Sequence, residues 1–251
     1  MIQGERMGIV LKLAFLFFIG SVLGWMLELL FRRFISSANP ERKWINPGFC
    51  TGPYLPLYGC GLCLMYLISL IESQHIIGNP VWNRICMFVF MAVTMTTIEY
   101  IVGIIGLKRT KVRLWDYSSE WGNIQGVICP KFSLAWAVLG IIYFYLVHPH
   151  ILAALTWLSQ NLAFSFVIGL FFGVFIVDVI QSARLVSKLK QFAEENNVIV
   201  RYEVLKENIR SRRETAKQKY SFFRPFHTDI PLTDHLHELK TSFERGRRKL
   251  R

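Results

Sequence analysis

The sequence predicts an all-α, polytopic helical membrane protein with about five spanning helices, two Pro/Gly-broken segments and cytoplasmic C-terminal helices. Three observations carry this. The 251 residues are 53% hydrophobic, too apolar for an ordinary soluble domain. Apolar runs of spanning length recur along the first 183 residues. Basic loops alternate with loops that lack Lys and Arg, which gives an N-terminus outside and a C-terminus inside the cell membrane.

The first run, about residues 8–31, is long enough to span, and no small-residue cleavage site follows it, so it reads as a retained helix. The loop after it carries Arg32, Arg33, Arg42 and Lys43. Between Asn46 and Gly61 the chain places three Pro and four Gly in an apolar, aromatic setting. No regular helix tolerates that density. Broken backbone at membrane depth survives only when buried in protein or lining a wet cavity, so the segment is re-entrant or interfacial. The second run, about 56–71, is short unless the broken segment completes the crossing. The third, about 84–107, spans, and Lys108, Arg109, Lys111 and Arg113 follow it. A second broken stretch from Asn123 to Trp136 precedes a short run at about 132–147. His148-Pro149-His150 is expected to break the chain there, and about 151–161 is expected to lie at the interface or to extend the last helix, about 164–180.

The two broken stretches share a pattern. Asn46 and Asn123 each stand seven residues before a Pro (Pro53, Pro130), with a Gly close behind and a Cys between. An acidic residue, Glu28 or Glu99, sits in the preceding apolar run. This reads as a parallel internal repeat with halves at about 8–72 and 84–147 inside a membrane domain of residues 1–183. The tail, 184–251, holds 17 Lys and Arg against 9 Asp and Glu. Leu185, Leu189, Phe192, Ile199, Tyr202, Leu205 and Ile209 recur at helical spacing, interrupted at Asn196-Asn197. That pattern suits packing on the inner face or a homo-oligomer formed through the 185–209 helix. A second short helix is expected at about 232–243. The basic end is expected to meet anionic lipid, with lipid preferred over nucleic acid because the tail is tethered to the bilayer.

Candidate ligand or ion-binding residues follow from cost. A carboxylate inside a spanning helix costs several kcal/mol unless paired or facing water. Glu28 has Arg32 one turn on as a structural partner. Glu99 has no basic residue until Lys108, which makes it the stronger candidate for an ion, proton or cationic ligand. Asp178, near the inner end of the last helix, is read as interfacial snorkelling. Asn46 and Asn123 either cap the turns that follow or coordinate a ligand. Tyr58, Tyr54 and Trp136 either line a cavity or fill the core. In Trp115-Asp116-Tyr117-Ser118, Asp116 is placed to pair with Arg113, and the two rings fit an interfacial belt. Cys60 and Cys63 read as buried small hydrophobes. His235 and His237 are weak metal candidates, and neither a metal nor a cofactor is predicted. No G-x-S-x-G, H-E-x-x-H or Walker A sequence is present.

The residues Gly24-Trp25…Glu28, Asn46-Pro-Gly-Phe-Cys50…Gly52-Pro-Tyr54…Pro56…Tyr58-Gly59, Trp115-Asp-Tyr-Ser118 and Asn123…Gly126…Cys129 resemble a family of small bacterial membrane proteins. That family is catalogued as ABC-transporter type IV permeases (CmpB-like), and the resemblance covers about residues 10–150. It implies a permease-like transport component for a small substrate. Without a Walker A sequence, ATP coupling would need a separate ATPase subunit. Two alternatives stand beside it. One is a membrane-anchored scaffold or sensor whose tail recruits partners or lipid. The other is an inner-leaflet enzyme acting on lipid with a glutamate as base.

Overall fold

The structure is a computed structural model that describes residues 7–36, 39, 42–72, 79–196, 198–202 and 205. The basic end, His235, His237 and the predicted 232–243 helix lie outside the described residues, as does Ile209. Among the described residues, six α-helices follow one another: α1 (Ile9–Phe34), α2 (Pro56–Glu72), α3 (Pro80–Ile104), α4 (Pro130–Ile142), α5 (His148–Gln160) and α6 (Ser165–Glu195). Two-residue strands β1 (Val112–Arg113) and β2 (Val200–Arg201) pair in parallel near one end.

Among the described residues, four helical stretches are long and apolar enough to cross a membrane: Ile9–Phe34, Pro80–Arg109, Pro130–Gln160 and Leu162–Glu195. The chain is an all-α multi-pass membrane protein. α2 is the shorter apolar helix anticipated from the sequence, and the broken segment before it makes up its length. Leu55 N–H donates to the Ser21 carbonyl at 2.9 Å, Trp25 Nε1 donates to Asn46 Oδ1 at 2.8 Å, and Cys63 Sγ reaches the Leu13 carbonyl. Residues 46–55 therefore run antiparallel along the last part of α1, and α2 continues along the rest. Ser21 lies thirteen residues before the end of α1 at Phe34, so the loop reaches about 20 Å down the helix. Gly24 is what lets them touch, because a Cβ there would run into the Tyr58 side chain.

A second hairpin is formed by α3 and α4. α3 starts with Asn79 capping Val81 N–H at 2.9 Å and with Pro80 in the first turn. α4 returns along it, with Gly140 against Met91 and Phe88 against Phe144. The predicted break at Pro149 does not occur. A π-helical turn over Tyr143–Val147 precedes it, with the His148 N–H bonded to the Tyr143 carbonyl. Loosening the ladder there accommodates a proline that has no N–H to give. Residues 148–160 therefore extend the fourth helix rather than the last one.

The main core lies between the hairpins. Leu16, Met91, Met95 and Leu158 are fully or almost fully buried, with Tyr66, Trp136 and Tyr143 around them. α6 packs on α1 through rings: Phe17 and Phe18 meet Phe171, Phe172 and Phe175. Cys60 is exposed on α2 rather than buried, because it turns away from α1 on a helix whose neighbours cover only part of its circumference.

A second, smaller cluster sits beyond the membrane-length part of α6. Leu189, Phe192 and Ala193 pack with Val112, Val200, Tyr202 and Leu205. Of the apolar stripe expected to pack on the inner face or to form a homo-oligomer, Leu189, Phe192, Tyr202 and Leu205 are thus buried within the chain, while Ile199 stays 46% exposed. The turn at Asn196 folds the segment back on α6, so the pattern is not one continuous helix.

Candidate functional site

The two hairpins each bring a carboxylate from the first helix to an aromatic donor on the second. In the first, Tyr58 OH donates to Glu28 Oε2 at 3.1 Å, and Arg32 Nε holds Glu28 Oε1 at 2.9 Å. In the second, Trp136 Nε1 donates to Glu99 Oε2 at 2.9 Å and Tyr117 OH to Oε1 at 3.0 Å. Tyr58 and Trp136 meet across the hairpins with ring centroids 5.5 Å apart. Tyr58 lies in the field of both carboxylates. Arg32, Glu28, Tyr58, Trp136, Glu99 and Tyr117 thus form one connected cluster spanning the bundle.

Glu28 and Glu99 differ in character. Glu28 is partly exposed and ion-paired. Glu99 is 4% exposed, and among the described residues its hydrogen-bond partners are the neutral Trp136 indole and Tyr117 phenol. A buried carboxylate held by an indole and a phenol keeps unmet charge, since such donors return only part of its lost hydration. Tyr117 also stacks on Phe132 at 4.3 Å, so the anionic centre has aromatic walls.

Of the predicted residues, the structure brings together Glu28, Glu99 and Tyr58, with Asn46 adjacent. Asn46 is 1% exposed. Its Oδ1 accepts from Trp25 and from Gly48 N–H, and its Nδ2 donates to the Thr51 carbonyl at 2.9 Å. Asn123 makes the parallel loop contacts, accepting from Gly126 N–H at 3.0 Å and donating to the Glu120 carbonyl at 2.9 Å. Asn123 and Asp116 organise the loop over residues 110–129 and do not reach the carboxylates. Gly126 is required there: its φ is +67°, and a Cβ would meet Arg113 and Ser118.

Trp115 and Tyr117, read from the sequence as fitting an interfacial belt, turn their polar tips to internal partners. Trp115 Nε1 donates to the Val127 carbonyl at 2.8 Å, and Tyr117 turns to Glu99, because a buried polar tip takes an internal partner where one is offered. Asp178 does not snorkel. It is 8% exposed and accepts from Thr51 N–H at 3.0 Å, Gly52 N–H at 2.7 Å and the Tyr54 hydroxyl. Ser182 adds a longer contact at 3.3 Å. Two backbone donors freed by the Pro/Gly break explain why a carboxylate is needed there. No sequence signal links residues 126 and 127 positions apart.

Asp116 pairs with Arg113 at 2.8 Å, accepts from Ser118, and faces Arg201 at 3.5 Å. Burial pushes its carboxyl up, but Ser118 and Arg113 outweigh this and hold it below the usual carboxylate range. A folded-state value below the unfolded one contributes stability that is complete above the ordinary aspartate value of about 3.9 and is lost as pH falls through the lowered value. Trp115 emission should therefore stay constant from neutral pH down to that range and change only below it. In D116N the acid transition attributable to this loop should vanish. A wild-type transition centred near pH 6 would contradict the assignment.

The family model described as "Putative ABC-transporter type IV" matches residues 15–183. The chain belongs to this family. The match takes in both hairpins, both broken loops, and α6 as far as Asp178 and Ser182, beyond the 10–150 region that carried the resemblance. β2 lies past its end. No curated protein and no solved structure matches the chain.

Proposed function

We propose that this family member is the membrane-embedded subunit of a transporter for a small cationic substrate, with the Glu28–Tyr58–Trp136–Glu99–Tyr117 cluster as its binding site. The observation that carries the reading is Glu99: a buried carboxylate whose partners among the described residues are neutral, lined by Tyr117 stacked on Phe132 and by Trp136, and linked through Trp136 and Tyr58 to a second carboxylate, Glu28. Anionic centres with aromatic walls suit cations, by charge and by the ring quadrupole. The matching carboxylate-to-aromatic links in the two hairpins support descent from a duplicated unit. The basic residues after α1 and α3 support an N-terminus outside and both broken loops on the inner side. The chain has no Walker A sequence, so ATP-driven transport would require a separate ATPase subunit.

The test is thermal melting of the purified protein against a panel of monovalent, divalent and organic cations at constant ionic strength. A cation that raises the melting temperature of wild type, and not of E99Q, supports the site. Equal shifts in both proteins, or none in wild type, would remove its basis.

A further inference from the structure

The short segment at residues 198–202 and 205 fastens the broken loop after α1 and the basic loop after α3 at once. On the loop after α1, Tyr202 OH donates to the Phe49 carbonyl at 3.0 Å across a separation of 153 residues, with the rings 5.9 Å apart. On the loop after α3, β2 pairs with β1, Val200 N–H donates to the Lys111 carbonyl at 3.0 Å, and Arg201 faces Asp116. Tyr202 and Leu205 are seated in the small cluster with Val112 and Leu189. The loop that carries Phe49 is the one held by Asp178 at Thr51 and Gly52, and by Trp25 at Asn46. Trp25 is one turn from Glu28 on α1, so a displacement of the loop acts directly beside the carboxylate cluster.

The fastening is weak relative to the bundle. A two-residue ladder is not stable by itself, and the cluster holding it is separate from the main core. Elements joined by few contacts open locally at free energies far below global unfolding.

We propose that this segment is a latch: seated, its hold on Phe49 adds to the Asp178 and Trp25 contacts that keep residues 46–55 in place and the carboxylate cluster closed on the loop side; unseated, it makes that loop easier to lift and so favours opening of the site. This rests on the reading of the cluster as a binding site, and it adds the regulation of that site.

Cys50 provides the reporter. It is 2% exposed, between Phe49 and Thr51. The experiment uses the full chain with Cys50 as its only cysteine (C60A/C63A/C86A/C129A) in lipid nanodiscs, where both faces are accessible, and follows maleimide labelling. Parent protein should label slowly. Y202F removes one hydrogen bond and should raise the rate about threefold to tenfold, the range set by such a bond. Y202A/L205A should raise it more than about tenfold by the same measure plus lost burial. For a cation that stabilises wild type, the half-saturating concentration should fall by the same factor, since a closed state reduces apparent affinity by the open fraction.

Unchanged Cys50 rates in both variants would overturn the latch. So would a faster rate with no movement of the cation midpoint, because the segment would then fasten the loop without regulating the site. If Y202A/L205A loses its melting transition, Y202F decides alone. A wild-type protein that responds to no cation overturns the binding-site reading instead, and the thiol rates separate the two failures.

Discussion

Asp178→Ala should be the most destabilising single substitution in the loop end of the bundle, lowering the melting temperature by about 10 °C. The carboxylate satisfies Thr51 N–H, Gly52 N–H and the Tyr54 hydroxyl together. Truncation leaves these donors buried without an acceptor, at about 1–3 kcal/mol each. Some relaxation toward water is available, so a total of about 3–5 kcal/mol is expected. At about 2–4 °C per kcal/mol for a chain of this size, the shift follows. Asp178→Asn keeps the shape but points an amide donor at one of two N–H groups, so it should recover little of the loss. Ser182→Ala removes only the 3.3 Å contact and should cost less than about 1 kcal/mol. Melting monitored by tryptophan emission distinguishes the three. A drop of less than about 2 °C for Asp178→Ala would mean the clamp carries under about 1 kcal/mol and that the α1 contacts and Tyr202 hold the loop without it.

Glu99→Gln should move stability and function in opposite directions. Glutamine keeps an acceptor for the Trp136 indole, and the Tyr117 hydroxyl can rotate to accept from the new amide. The hydrogen bonds therefore largely survive, while the cost of burying a charge among neutral donors, several kcal/mol in a spanning helix, disappears. The variant should melt at or a few degrees above wild type. Its response to the stabilising cation should weaken at least 100-fold, about 2.7 kcal/mol, because the charge that recognises the cation is gone. Glu99→Leu tests the hydrogen bonds separately: it strands the indole and phenol donors and should melt below Glu99→Gln by about 2 kcal/mol or more. A Glu99→Gln protein that melts well below wild type would show that the carboxylate is structural, and the site reading would fall with it.

The membrane class, the positions of the long apolar helices, and the two broken stretches were legible in the sequence. Each depends on local composition: runs of apolar residues need about 20 positions to span, and Pro/Gly density breaks a helix wherever it occurs. The candidates Glu28 and Glu99 were legible for the same reason, as charge placed where charge is costly. The role of Tyr117 was half visible in Trp115-Asp116-Tyr117-Ser118, but an aromatic beside a membrane helix reads equally as a belt residue, and only the fold turns it toward Glu99. Pro149 misled because a proline's effect depends on whether the preceding turn can loosen, which the π-helical turn at Tyr143–Val147 does.

What the sequence determined by itself, then, is that this chain is a multi-pass helical membrane protein with two ionisable helices and two loops that cannot be regular. Hydropathy, breaker residues and charge act over one or two helical turns, so one sequence suffices to read them. Only the tertiary structure decided where the unmet groups find partners. Asp178 reaches loop donors more than a hundred residues away, Tyr202 reaches Phe49, and Tyr58 and Trp136 join the two carboxylates. These pairings arise because buried polar groups take whichever partner the packing of distant segments supplies, and that choice leaves no trace in local spacing.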